Sequence, residues 1–167
     1  MRDDAKLSDG VVTLSPLDPA DAARLPFLPP SPPGAPWRAH GPAQAFGIRA
    51  GRLVGAVRLR PAATRAGAPA PGGAPAATGP SALADHDADL SFVLEPEARG
   101  RGLATRAVLL ACGHARAAGA RRAVIVTTAG DATASAVALR AGFAHRGQIS
   151  HADGTLLDWH VRPFDRP

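Results

Sequence analysis

The chain has 167 residues, enough for one domain with a real core, and its single cysteine, Cys112, excludes an internal disulfide framework. Hydrophobic residues make up 46% of it but aromatics only 4%, so alanine, leucine and valine must build the core. The formal net charge of +5 and a sequence pI of about 11.1 permit an acidic partner. The arginines are scattered without interleaved aromatics, which argues against nucleic acid as the main partner. No apolar run approaches membrane length, so a cytoplasmic protein with no membrane contact is expected.

Residues 1–10 are polar and expected to fray, and Val11–Ser15 reads as a first strand. Asp18 as N-cap, Pro19 as first helical residue and Asp21 in the first turn start a helix that runs to about Leu25 and stops before Pro26. Residues 26–42 hold seven prolines and two glycines, so they form neither a long helix nor a central strand. Trp37 and His40 are the notable side chains there, Trp37 being read as an anchor for the loop. Ala45–Arg49 and Arg52–Arg60 alternate around Ala50-Gly51 as a hairpin. Residues 61–85 are almost wholly alanine, proline, glycine and threonine, a composition too poor in core-forming side chains to offset its ordering entropy. They are read as a disordered insertion inside a single domain spanning 11–163.

Residues 89–105 are the chemically informative stretch. Leu90, Phe92 and Leu94 alternate with Asp89, Ser91 and Val93 as in a strand, which should end near Pro96. Arg99-Gly100-Arg101-Gly102 follows, and Leu103 opens a helix. Glycines before a helix let a ligand approach the backbone. The free N–H groups of the first turn then favour negative charge, and the arginines add phosphate-matching forks. This is a phosphate cradle. It is neither a P-loop nor a dinucleotide fingerprint, because neither Gly-Lys-Ser/Thr nor G-x-G-x-x-G is present.

The helix runs from Leu103 to about Ala118, with Val108, Leu109, Cys112 and Ala115 on one face, and Gly119 stops it. Cys112 is read as a small buried hydrophobe and His114 as partly exposed. Arg122–Thr128 is a β-branched run, a buried strand parallel to the central one and reached by a right-handed crossover. Asp131–Ala141 is a short helix ended by Gly142-Phe143. Residues 145–150 and 156–162 form a last hairpin across Asp153-Gly154.

Arg99-x-x-Gly102-x-Ala104, following Leu94-Glu95-Pro96-Glu97, fits Q/R-x-x-G-x-G/A and resembles the acyl-CoA-binding motif of the GNAT superfamily of N-acetyltransferases. The run Gly51-x-Leu53-Val54-Gly55-x-Val57-x-Leu59 is worded like GNAT strands. The ending Arg140-Ala141-Gly142-Phe143-x-x-x-Gly147 is similar to the ribosomal-protein-alanine acetyltransferase-like branch. The resemblance implies an α/β (α+β) GNAT fold, a mixed twisted sheet of about six or seven strands with helices on both faces. It implies acetyl-CoA (coenzyme A) as acyl donor and no metal. The cofactor's pyrophosphate would lie on the arm Arg99, Gly100, Arg101, Gly102, Leu103, Ala104 and Thr105, with a backbone N–H near Val93 or Leu94 facing the acyl oxygen. Asp131 would take the family's asparagine position near the pantetheine.

An amine acceptor must lose a proton before it attacks, and the resemblance makes Asp89 the candidate base, with Asp87 and His86 just upstream. Many GNAT enzymes supply a tyrosine as acid for the leaving thiolate. This chain has no tyrosine, Ala138 stands at that position, and Ser135 is the candidate in its place. The acceptor would be a small-molecule amine or a protein N-terminus, and the protein a monomer or homodimer. The rival is an acyl-CoA-binding or regulatory module that kept the cradle and lost the acid.

Overall fold

The structure, a computed structural model, describes residues 6–25, 44–61, 87–150 and 154–165. The expectations for Trp37, His40, His86, Asp153 and the insertion beyond Pro61 lie outside the described residues. The elements in chain order are β1 (Leu7–Ser8), β2 (Thr13–Pro16), α1 (Pro19–Ala23), β3 (Gln44–Ala50), β4 (Arg52–Pro61), β5 (Asp87–Leu94), α2 (Leu103–Ala117), β6 (Arg122–Thr128), α3 (Ala132–Arg140), β7 (Ala144–Ser150) and β8 (Leu156–Pro163). They form one eight-stranded sheet in the order β1-β2-β3-β4-β5-β6-β8-β7. Every neighbouring pair is antiparallel except β5 and β6, which α2 joins as a parallel crossover.

The sheet has more strands than the six or seven expected, because Leu7 and Ser8 do not fray. They pair with Leu14 and Thr13. Asp9 holds the turn between them: its Oδ1 accepts the N–H groups of Val11 and Val12 at 2.9 and 2.8 Å, and its Oδ2 accepts Arg106 Nη1 of α2 at 2.8 Å. The Val12 N–H, the Arg106 guanidinium and the Val11 N–H, in that order, pull the Asp9 carboxyl down to about 2. At the start of α1, Asp18 Oδ1 accepts the Asp21 N–H at 2.7 Å, the capping contact that the sequence predicts.

The two faces of the sheet are covered differently. On one face α2 and α3 pack over Val57, Leu59, Ala88, Leu90, Leu94 and Ile125. On the other, Leu25 after α1 packs with Leu53 and Ala56, and Val93 leans against them. Strand alternation therefore sends Leu90 and Leu94 of β5 toward α2, and Asp87, Asp89, Ser91 and Val93 toward the α1 side. In α2 the buried stripe is Leu103, Ala104, Ala107, Val108, Ala111, Cys112 and Ala115. Leu109, expected on that stripe, is 41% exposed: with 3.6 residues per turn it lies roughly 140° round the helix from the centre of the stripe. Cys112 is buried as expected, and burial pushes its thiol up to about 11. Among the described residues no helix is long and apolar enough to cross a membrane.

Candidate active site

The parallel pairing of β5 and β6 covers only Asp87–Leu90 against Arg122–Ile125. Beyond Leu90, β5 stays with β4 as far as Leu94, while β6 stays with β8 as far as Thr128. The two strands thus part company over their last residues, and Val93 and Leu94 sit at the diverging tip. Two contacts fix that tip: Glu95 N–H donates to Val54 O at 2.8 Å, and Arg99 Nε donates to Leu94 O at 3.3 Å. Gly55 allows β4 to come this close. A Cβ there would stand 2.1 Å from the Val93 carbonyl oxygen, so only glycine fits. Nothing in the composition around Gly55 marks it, since its need depends on the register with β5.

After β5 one 3-10 turn, Pro96–Ala98, leads into the arm, with Ala98 buried as its anchor. Arg99 is extended, whereas Gly100 and Gly102 have φ of +75° and +73°, the left-handed region that favours glycine. Gly102 is the N-cap of α2, and no side chain caps the helix. The first helical bond runs from Arg106 N–H to Gly102 O at 3.1 Å, so no side-chain cap serves the N–H groups of Leu103, Ala104 and Thr105. The first turn holds no acidic residue, and a Cβ built on Gly100 or Gly102 meets nothing within 4 Å. The geometry fits an anion: open space, oriented donors and the positive end of a helix, with Arg99 and Arg101 exposed beside it.

Asp89 is half-buried on the α1 side of the sheet. Burial pushes its carboxyl up to about 6, while the positive charge of Arg60, its cross-strand partner on β4, pulls the other way. Asp87, the alternative base, is 2% exposed, and its two oxygens accept Arg122 Nε and Nη2 at 2.6 and 2.8 Å. That bidentate pair commits Asp87 to joining the starts of β5 and β6. Asp89 and Val93 share a face four residues apart, roughly 13 Å of strand, with exposed Ser91 between them. A proton passing from the tip to Asp89 must therefore travel through water.

Asp131 is the N-cap of α3, and its Oδ1 accepts the Ala134 N–H at 3.0 Å. Its carboxylate thus has a helix-capping task that its sequence position alone does not reveal. Ser135 is half-buried one turn into α3, which packs with α2 on the face of the sheet away from Asp89. The two candidate catalytic side chains therefore lie on opposite faces of the sheet. His114 lies away from it, its Nε2 3.1 Å from Gln44 Oε1 and its ring edge-on to Phe46. Among the described residues no group of three or more His, Cys, Asp or Glu could hold a metal ion.

A strand that leaves its parallel neighbour, a glycine arm and an uncapped helix start together make a site that suits an anion at the end of the sheet. Residues 12–144 match the family described as the acetyltransferase (GNAT) domain, and the chain belongs to that family. No curated protein matches it significantly. Among solved structures it is similar to the Salmonella typhimurium acetyltransferase that modifies the N-terminal serine of ribosomal protein L7/L12, at 18% identity and TM-score 0.56 over 75% of this chain and 66% of that one. It is similar to the microcin C7 self-immunity acetyltransferase MccE, solved with acetyl-CoA and AMP, at 18% identity and TM-score 0.52 over 73% of this chain and 61% of that one. A GNAT-family protein from Chromobacterium violaceum, described as a probable acetyltransferase, is 19% identical with TM-score 0.66, over 96% of this chain and 86% of that one. At these identities the likeness establishes the fold. The chain spans under two thirds of the length of the Salmonella and MccE structures.

Proposed function

We propose that this protein is an acyl-CoA-dependent N-acyltransferase that moves acetyl from acetyl-CoA to the amine of a protein N-terminus or a small molecule by direct attack. Its working unit is a single domain over 11–163 that acts in the cytoplasm, as a monomer or homodimer. The observation that carries the proposal is the uncapped start of α2 behind Gly100 and Gly102, placed where β5 leaves β6. Family membership supports it, as do the activities of the L7/L12 and microcin acetyltransferases.

The donor supplies an acyl group already activated as a thioester. The N–H groups of the arm and of Leu103, Ala104 and Thr105 hold its pyrophosphate, with charge from Arg99 and Arg101. A main-chain N–H at Val93 or Leu94 faces the acyl oxygen as charge develops on it, a donor that costs no reorganisation because Gly55 and Arg99 fix the tip. Asp89 takes the amine proton through water. With its carboxyl near 6 it is ionised at neutral pH yet basic enough to receive a proton. Ser135 stands on the opposite face, where the leaving sulfur departs, and Asp131 holds the start of its helix. A thiolate of pKa about 8.5 leaves acceptably without strong acid assistance, so a weak acid suffices.

Calorimetry with acetyl-CoA and CoA, followed by thiol release over a panel of amines, tests the proposal. Binding with turnover supports the enzyme. Binding without turnover on any amine favours the regulatory module, a reading motivated by Ala138 in the tyrosine position. No binding excludes both.

A further inference from the structure

The charged groups on the α1-side face of the central strands are Arg58 and Arg60 on β4, Asp87 and Asp89 on β5 and Arg122 on β6. Asp87 and Arg122 close on each other. Arg60 faces Asp89 across the strand pair, and its charge acts on that carboxyl. Among the described residues its Nε is sealed from solvent and has no hydrogen-bond partner. A guanidinium cannot shed its charge, and a buried donor without an acceptor is rare in a settled structure, where it points to a water, an ion or a ligand. The orphan lies beside the candidate base rather than on an outer surface.

We propose that Arg60 is the acceptor-recognition residue: it binds an anionic group, carboxylate or phosphate, on the molecule whose amine is acetylated. This rests on the acyltransferase reading above and narrows its substrate class. Strand spacing sets the separation. Arg60 lies opposite Asp89, and Ala56 lies opposite Val93, so Arg60 is four residues, roughly 13 Å, from the row where the acyl group is attacked. An extended arginine does not span that distance. The anion and the amine must therefore be separated by more than the two bonds between them in a free α-amino acid. A peptide N-terminus with an acidic side chain a residue or two along fits. The planar fork of Arg60 suits either a carboxylate or a phosphate, and its positive charge rejects acceptors with a cation at that place.

The test uses the full chain with acetyl-CoA and four tripeptide amides, Ala-Ala-Glu, Ala-Ala-phosphoserine, Ala-Ala-Gln and Ala-Ala-Lys. Thiol release is read at pH 8.5, where Asp89 is ionised whatever happens to Arg60. The expected result is a kcat/KM at least about tenfold higher for one or both anionic peptides than for the Gln peptide, with the Lys peptide lowest. The Glu and phosphoserine arms tell carboxylate from phosphate. Arg60→Gln should bring the anionic-to-neutral ratio close to one, Arg60→Lys should keep part of it, and Arg60→Glu should reverse it toward the Lys peptide. A wild-type ratio near one, or an Arg60→Gln loss shared equally by the Glu and Gln peptides, overturns the inference and leaves Arg60 as a counter-charge for Asp89. If CoA binds but no peptide turns over, calorimetric titration of the Glu and Gln peptides into CoA-loaded protein reads the same preference directly, and equal binding overturns it. Turnover of neutral amines alone sinks this inference while keeping the acyltransferase, whereas absence of CoA binding sinks the acyltransferase itself.

Discussion

Asp89→Asn should make the protein more stable and less active. The folded chain holds the Asp89 proton to about pH 6, against 3.8 for an ordinary aspartate, and burial is the main cause. The folded state therefore binds that proton more tightly than the unfolded state. The contribution of Asp89 to stability is most favourable below pH 3.8, falls as pH rises to about 6, and is flat above that. At pH 7 the ionised side chain costs about 3 kcal/mol, an upper figure because the site is half-buried and keeps some solvent. Asparagine is nearly isosteric and uncharged, so it relieves most of this cost, while leaving Arg60 with one less favourable charge nearby. The net expectation is a gain of about 1–2 kcal/mol at pH 7, read as a urea midpoint about 1 M higher with an unchanged slope. The gain should shrink toward zero at pH 4. Turnover should fall about 100-fold with acetyl-CoA affinity kept, and the limb of the wild-type pH–rate profile near pH 6 should vanish. Unchanged stability together with unchanged turnover would refute the reasoning. It would mean that Asp89 is a solvated strand residue whose environment the donor site does not use.

Gly102→Glu places a Cβ and a carboxylate at a left-handed position at the mouth of the arm. Since that Cβ meets nothing in the fold, stability should fall by only about 1–2 kcal/mol while CoA affinity by calorimetry drops more than about tenfold. Equal affinity in a folded variant would remove the cradle. Gly55→Ala forces a Cβ against the Val93 carbonyl and should cost about 2–3 kcal/mol in chemical denaturation. It should also weaken acetyl-CoA binding, because relief of the clash displaces the β5 tip. Asp87→Ala removes the bidentate carboxylate from the Arg122 guanidinium, which is only 31% exposed, so thermal or urea unfolding should show a loss of about 2–3 kcal/mol. The loss should be smaller in the double variant with Arg122→Met, which removes both partners. Cys112 should resist thiol reagents in the folded protein, since burial holds its thiol near 11, and should react at the unfolding rate in denaturant.

What the sequence revealed follows the range of the interactions involved. The Asp18 cap, the hairpin around Gly51 and the bounds of β6 are local, and each is found where turn residues and periodicity put it. The arm was legible for the same reason: glycine before a helix is a local statement about backbone conformation. The first strand was missed because Leu7 and Ser8 are held by a turn whose key contact, Asp9 with Arg106, joins residues far apart in sequence. Leu109 is exposed because the buried stripe is centred on Ala104, Ala111 and Ala115, a centre that spacing read from the larger side chains does not locate. Gly55 is visible in the sequence as a glycine inside a strand, but the contact that requires it is not, and nothing marks Arg60. Their significance comes from the β4–β5 register, and the sequence between those strands carries no periodic pattern from which a register could be counted.

This division has a mechanistic counterpart. In the proposed site the donor half is main chain: the arm, the uncapped turn of α2 and the tip of β5. Side-chain changes at Arg99 or Arg101 should tune its affinity, and only residues that alter the backbone, such as Gly55, Gly100 and Gly102, should abolish it. In the proposed site the acceptor half is made of side chains on the α1-facing rows of β4 and β5, where Arg60 pairs with Asp89 and Arg58 with Ser91. Alternation puts these residues on the face opposite the α2 core, so each can change without repacking Leu90 or Leu94. On the proposed reading the fold separates the two specificities physically. A change of acceptor needs two or three substitutions on one face of two strands, whereas a change of donor requires rebuilding a backbone. That separation is why Arg60, outside the donor motif, is the position where an exchange of charge should redirect the enzyme while acetyl-CoA binding stays as it is.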